Sequence, residues 1–180
     1  MSTSLVLTVI GRDRPGIVNL LSDVAQRFGA NWAGSRMASL AGQFAGIVHF
    51  QVGEENAEPL ASALRGLGSS DLHVAIAVGE SGAAPPAQRI VRLELVGNDR
   101  PGIVRDLSGS LAKRGVSIEE LHTEFVSAPM SADSLFKVNA LLAVPAGLSD
   151  AELKRELEAL ATEMMVDFEL EARTGAADPI

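Results

Sequence analysis

Apolar residues along this chain fall into short alternating runs and longer runs of helical spacing, and these recur twice in the same order. Leu5 to Ile10 is too short for a helix and rich in β-forming residues, which predicts a strand. Its later counterpart fixes the faces, because Val91, Leu93 and Leu95 alternate with Arg92 and Glu94. By that correspondence Leu5, Leu7 and Val9 point to a core, and Val6 and Thr8 to the other face. The outer face of the first unit is the more apolar of the two, as if something covers it. Ile17, Leu20, Leu21, Val24 and Phe28 then keep helical spacing, as do Ile103, Leu107 and Leu111. Residues 30–40 and 43–52 read as two strands around Ala41-Gly42; 116–127 and 135–144 match them across a longer connector at 128–133. A second helix follows in each half, marked by Leu60, Ala63, Leu64 and Leu67, and by Leu153, Leu157 and Leu160. The later one opens on Ser149-Asp150-Ala151-Glu152, a capping-box pattern, with Leu148 and Leu153 at the staple positions around it. Each half closes on a strand, Leu72 to Val78 and Val166 to Leu170. The order β-α-β-β-α-β, twice, predicts an α+β chain of two ferredoxin-like units, each an antiparallel sheet with both helices on one face.

Between the first strand and first helix of each half the sequence repeats itself. Gly11-Arg12-Asp13-Arg14-Pro15-Gly16-Ile17-Val18 returns 86 residues later as Gly97-Asn98-Asp99-Arg100-Pro101-Gly102-Ile103-Val104. Residues 5–32 and 91–118 agree at 11 of 28 positions, too many for two unrelated segments. Pro15 and Pro101 suit the first turn of a helix, and Asp13 and Asp99 suit the capping of its free N–H groups. Gly29 and Gly115 suit the C′ position. The domain plan is 1–80, a linker at 81–89 with two prolines, 90–173, and a loose tail at 174–180.

Charge narrows the function. The chain carries −8 overall, about −2 of it before residue 85 and −6 after. No Lys/Arg cluster with interleaved aromatics occurs, which argues against direct nucleic-acid binding. There is no cysteine, so disulfides, thiolate catalysis and cysteine metal sites are out. No signal peptide or membrane span is legible, and a cytoplasmic location is expected.

Catalytic patterns are sparse. His49, His73 and His122 stand in no ligand-spaced motif and read as surface or sheet residues. Glu120, His122 and Glu124 would share one strand face, which could hold a cation but reads more simply as a solvated face. No metal or cofactor is expected, and the chain is read as non-enzymatic. The glycines of the repeated turn have neither P-loop nor dinucleotide spacing. What the turn offers is a helix N-terminus with a carboxylate beside it. Free N–H groups at Gly16 and Ile17 suit an anion, and Asp13 suits an ammonium, a pairing that matches a zwitterionic amino acid. Gly16 and Gly102 leave room for close approach. Asn31 could hydrogen-bond a carboxylate or simply end a turn. Trp32 reads as core, or as the seam between domains.

A strand, Asp-Arg-Pro-Gly-Ile-Val, a helix ending in Gly and a β-β-α-β remainder resembles the ACT domain, a small regulatory module that senses amino acids. The resemblance covers about 5–79 and 91–172. Two such domains and nothing else resembles the glycine cleavage system transcriptional repressor family, whose members are understood to act through a DNA-binding activator. The resemblance implies ligand contacts at an interface between paired domains, from the turn and from the start of the second strand. Carried over by position, these are Asp13, Gly16, Ile17 and Asn31, and Asp99, Gly102, Ile103 and Ser117. Amino-acid binders in the family often carry Asn at both places, whereas here the turn has Asp and one strand position is Ser. The expected partners are a small amino acid, with glycine the first candidate, a transcription factor or other protein, and a second copy of the chain; the paired domains suggest an eight-stranded arrangement, within one chain or across a dimer. The alternative is an interaction module without a ligand.

Overall fold

The structure is a computed structural model and describes residues 2–69, 71–79, 88–127 and 134–172. The chain divides into two compact units, residues 1–83 and 84–180. The 81–89 linker falls largely outside the described residues, and the 128–133 connector and the tail lie wholly outside them.

In the first unit, β1 (Ser2–Arg12) leads through a turn to α1 (Ile17–Arg27), then β2 (Asn31–Leu40), β3 (Gln43–Gly53), α2 (Glu54–Gly66), a single 3-10 turn (Leu67–Ser69) and β4 (Leu72–Gly79). The sheet runs β2-β3-β1-β4, all pairs antiparallel. Leu5, Leu7 and Val9 are buried, as their alternation predicts, and meet Val48 and Phe50 of β3 with Ile17, Leu21, Val24, Leu60 and Leu64 of the helices. Burial of each such side chain contributes roughly 1.5–3 kcal/mol. Trp32 packs onto this core, edge-to-face against Phe50 with ring centroids 5.3 Å apart.

In the second unit, β5 (Gln88–Asn98), α3 (Ile103–Lys113), β6 (Ser117–Ser127), β7 (Ser134–Pro145), α4 (Asp150–Met164) and β8 (Val166–Ala172) repeat the plan, in sheet order β6-β7-β5-β8. Its core gathers Leu93, Leu107, Leu111, Val138, Leu142, Leu153 and Leu157. The α4 capping box is complete: the Glu152 N–H donates to Ser149 Oγ at 3.3 Å, and the Ser149 N–H donates to Glu152 Oε2 at 3.0 Å. The Ser149 hydroxyl, which donates to Glu152 Oε2 at 2.6 Å, and after it the Ser149 backbone N–H hold the Glu152 carboxyl below the usual glutamate range.

Both first helices end as their glycines predict. Gly29 has φ 64° and Gly115 φ 70°. Ala30 and Val116 N–H groups reach back to the carbonyls of Ala25 and Leu111, the paired bonds of a Schellman end.

Their beginnings depart from the sequence reading. The proline does not open the helix. It lies in the preceding turn, and the N-cap is the glycine after it, Gly16 (φ 92°, ψ 0°) in α1 and Gly102 (φ 99°, ψ −4°) in α3. Those angles are what the third residue of a type II turn requires, with proline favoured just before it. Asp13 and Asp99 therefore stand three residues ahead of the cap. No side chain caps either helix, so the expected capping role is not what these carboxylates do.

Candidate functional site

The repeated turn places Asp13 and Gly16 on an exposed surface, with Ile17 turned inward to the core. The Asp13 backbone N–H donates to the Gly42 carbonyl at 2.9 Å, which fastens the turn to the tip of the β2–β3 hairpin. The first N–H groups of α1 receive no side-chain acceptor, and the Leu20 N–H to Gly16 carbonyl bond of 2.9 Å starts the helical ladder. A bare helix N-terminus carries the equivalent of roughly half a positive charge. The exposed Asp13 lies three residues ahead of this N-cap in the chain.

Asp99, Gly102 and Ile103 form the same turn in the second unit, with Asp99 and Gly102 exposed and Ile103 buried. One residue that sequence reasoning missed changes its chemistry. Asp106, in the first turn of α3, accepts from Arg100 Nη2 at 3.3 Å. The repeat itself holds the signal, since the residue aligned with Asp106 is Leu20.

Asn31 and Ser117 are exposed at the starts of β2 and β6. Within one unit they do not meet the turn. Asn31 pairs with Gln51, and Gln51 with Ser4 of β1, whereas the turn follows Arg12. Eight residues of strand separate those levels, roughly 27 Å. Ser117 pairs with Ala143, which pairs with Ile90, eight residues before Asn98. The turn and the strand start therefore occupy opposite ends of each sheet. Each unit carries half of the expected ligand shell at either end.

Glu120, His122 and Glu124 do share a face, opposite Leu141, Asn139 and Lys137 of β7. Among the described residues, no group of three or more His, Asp or Glu side chains is placed to hold a metal ion. His49 lies half-buried on the outer face of the first sheet, hydrogen-bonded to Ser4 Oγ. A shallow cleft of about 490 Å³ runs between α3 and α4, but its Glu156 carboxylate already accepts from Arg114 at 3.0 Å and Ser110 at 3.4 Å. No helix among the described residues is long and apolar enough to cross a membrane.

Comparison with known proteins agrees with this architecture. The profile described as ACT domain matches residues 3–78 and again 89–171. The glycine cleavage system transcriptional repressor of Escherichia coli (strain K12) is 27% identical over 164 residues, covering 89% of this chain and 85% of that protein. A crystal structure of an unknown protein from Galdieria sulphuraria superposes with a TM-score of 0.86 at 32% identity, covering 97% of this chain and 100% of that one. A second solved structure, provisionally named a glycine cleavage system transcriptional repressor, shares the fold at a TM-score of 0.70 and 22% identity, covering 97% and 99% of the two chains.

Proposed function

This chain belongs to the ACT-domain family, and on that premise we propose that it is a non-catalytic, amino-acid-responsive regulator acting through a protein partner. The observation that carries the ligand reading is the turn of the first unit. There an exposed Asp13 precedes an uncapped helix N-terminus by three residues, a negative and a positive group within one turn of chain. The ligand's carboxylate takes the N–H groups at Gly16 and Ile17, and its ammonium takes Asp13. Glycine is the first candidate, because the relative named above concerns the glycine cleavage system.

Turn and strand start lie at opposite ends of each sheet, so a domain of a second copy completes the site by bringing an Asn31 or a Ser117 to the turn. The ligand then favours the paired arrangement over the unpaired one, which is how occupancy reaches the partner. That the partner is a transcription factor, with no contact to DNA by this chain, is supported by the net charge of −8 and the lack of any basic cluster.

Titration calorimetry with glycine, then serine, alanine and larger amino acids, tests the reading. Saturable heat that weakens in Asp13→Ala, in protein with unchanged circular dichroism, supports it. No heat from any amino acid overturns it. The second reading, a ligand-free interaction module, draws on the exposed apolar side chains Ile10, Ile47 and Leu40 of the first sheet. It predicts a stable complex with a protein partner that no amino acid alters.

A further inference from the structure

The two sheets share one register, yet their outward faces differ in chemistry. Thr8 of β1 stands between Ile47 and Ala75, and Val6 beside Ala77. Glu94, 86 residues on from Thr8, stands between Asn139 and Glu169, and Arg92 beside Glu171. Asp167 extends the row on β8, and Glu124 lies on β6 opposite Lys137. The matching positions of the first sheet, Thr8, Ala38, His73, Ala75 and Ala77, hold no carboxylate, so the fold does not demand one. The cations on this face are held loosely: Arg92 Nη2 lies 3.7 Å and Lys137 Nζ 3.8 Å from Glu94. Among the described residues Glu124, Asp167, Glu169 and Glu171 make no ion pair.

Asn139 is an independent observation. Val138 and Ala140 lie in the core, so strand alternation turns Asn139 to the outer face, between Glu94 and His122. Only 6% of it is exposed, and its Oδ1 is buried with no hydrogen-bond partner. An acceptor buried without a donor is costly, and a donor brought from outside relieves that cost. A cleft of about 230 Å³ opens at its neighbour Glu94, between Arg92, Glu169 and Glu171.

We infer that this face of the second unit is a docking surface for an arginine-bearing, basic surface of the protein partner. The inference names the chemistry of the partner in the reading above, and rests on that reading only in that a protein partner exists. Asp167, Glu169 and Glu171 alternate along β8, roughly 7 Å apart. They do not converge on one point, and no group among the described residues is placed to hold a metal ion, so the face suits several separate cationic side chains. A guanidinium offers five N–H donors in a planar fork, enough to grip a carboxylate and also reach a carbonyl oxygen such as Asn139 Oδ1. A second copy of this chain, at −8, is a poor match for such a face.

The test uses the full chain, labelled with ¹⁵N, and a fluorescein-labelled peptide of alternating arginine and serine, whose extended spacing matches β8. The peptide should bind saturably and shift amides in 92–96, 137–141 and 167–171. Asp167→Asn, Glu169→Gln and Glu171→Gln together should weaken it about tenfold. Glu54→Gln, Glu55→Gln and Glu58→Gln on α2 remove the same charge and should weaken it by about twofold at most. Asn139→Leu, nearly isosteric, should weaken it about fivefold, and serves alone if the β8 variant fails to fold. Equal weakening by the two triple variants would reduce the effect to net charge and overturn the inference. So would shifts centred on another surface, an Asn139→Leu protein of unchanged affinity, or no binding at all. Amino acids play no part here, so a protein that gives no heat with any of them sinks the sensor reading and leaves this inference standing.

Discussion

Asp13 and Gly42 are joined by a backbone hydrogen bond of 2.9 Å, which ties the repeated turn of the first unit to the hairpin between β2 and β3. The hairpin tip is itself unusual. Ala41 has φ 50° and Gly42 φ 77°, so both central residues are left-handed, as a type I′ turn demands. Alanine is costly in that conformation, and asparagine is better tolerated.

Ala41→Asn should therefore stabilise the protein, by about 0.5–1 kcal/mol, through replacing a strained residue with one suited to the turn. Urea unfolding of the two proteins checks this. An unchanged or lower midpoint would show that the hairpin does not limit stability.

Gly16→Ala should cost at least about 1 kcal/mol, although nothing lies within 4 Å of the added methyl. The penalty comes from the backbone at φ 92°, not from crowding. Gly66→Ala, on an α2 glycine with equal space and no positive φ, should be neutral or stabilising. Thermal unfolding of both separates conformation from volume.

Crowding decides the opposite case. A methyl at Gly97 would fall 2.3 Å from Val166 Cγ1, on the strand directly opposite. Gly97→Ala should cost about 1–3 kcal/mol. Combined with Val166→Ala, the loss should be smaller than the sum of the two single losses, since each change makes room for the other. Additive losses in a double-mutant cycle would contradict the close approach.

Ser149→Ala should destabilise by about 1 kcal/mol through loss of the α4 cap. Glu152→Ala has a pH signature. The folded carboxyl is held below its unfolded value, so its stabilisation is present above the unfolded value and is lost as pH falls through the folded one. The stability gap between Glu152→Ala and the unmodified protein should thus be open at neutral pH and close in acid. A gap that is constant from pH 7 to pH 3 would rule out the capping carboxylate as its source.

The periodicity in the sequence carried most of the fold. Alternation at Leu5, Leu7 and Val9 and helical spacing from Ile17 each marked a buried face, because burial leaves no freedom in which residues point inward. The start of each helix was not legible in the same way. Proline suits both the first helical position and the second position of a type II turn, and only the backbone at Gly16 distinguishes them. The candidate site was legible as residue types but not as an assembly. Asp13 and Asn31 are close in sequence, and only the strand pairings show that they lie at opposite ends of the sheet. Asp106 went unnoticed because its significance lies in an ion pair with Arg100, not in any motif.

Helices α1 and α3 have 11 residues each, and each is bracketed by left-handed glycines, Gly16 with Gly29 and Gly102 with Gly115. Those brackets make each helix a ruler of roughly 16 Å. An insertion inside it would rotate the following strand by about 100° and carry its inward side chains away from the core. Point substitutions on the exposed face leave the ruler intact. The distance from turn to strand start is thus locked while the chemistry at its ends stays free to diverge. A duplicated domain can then carry Asp106 where the first carries Leu20, or Ser117 where the first carries Asn31, without any change of span.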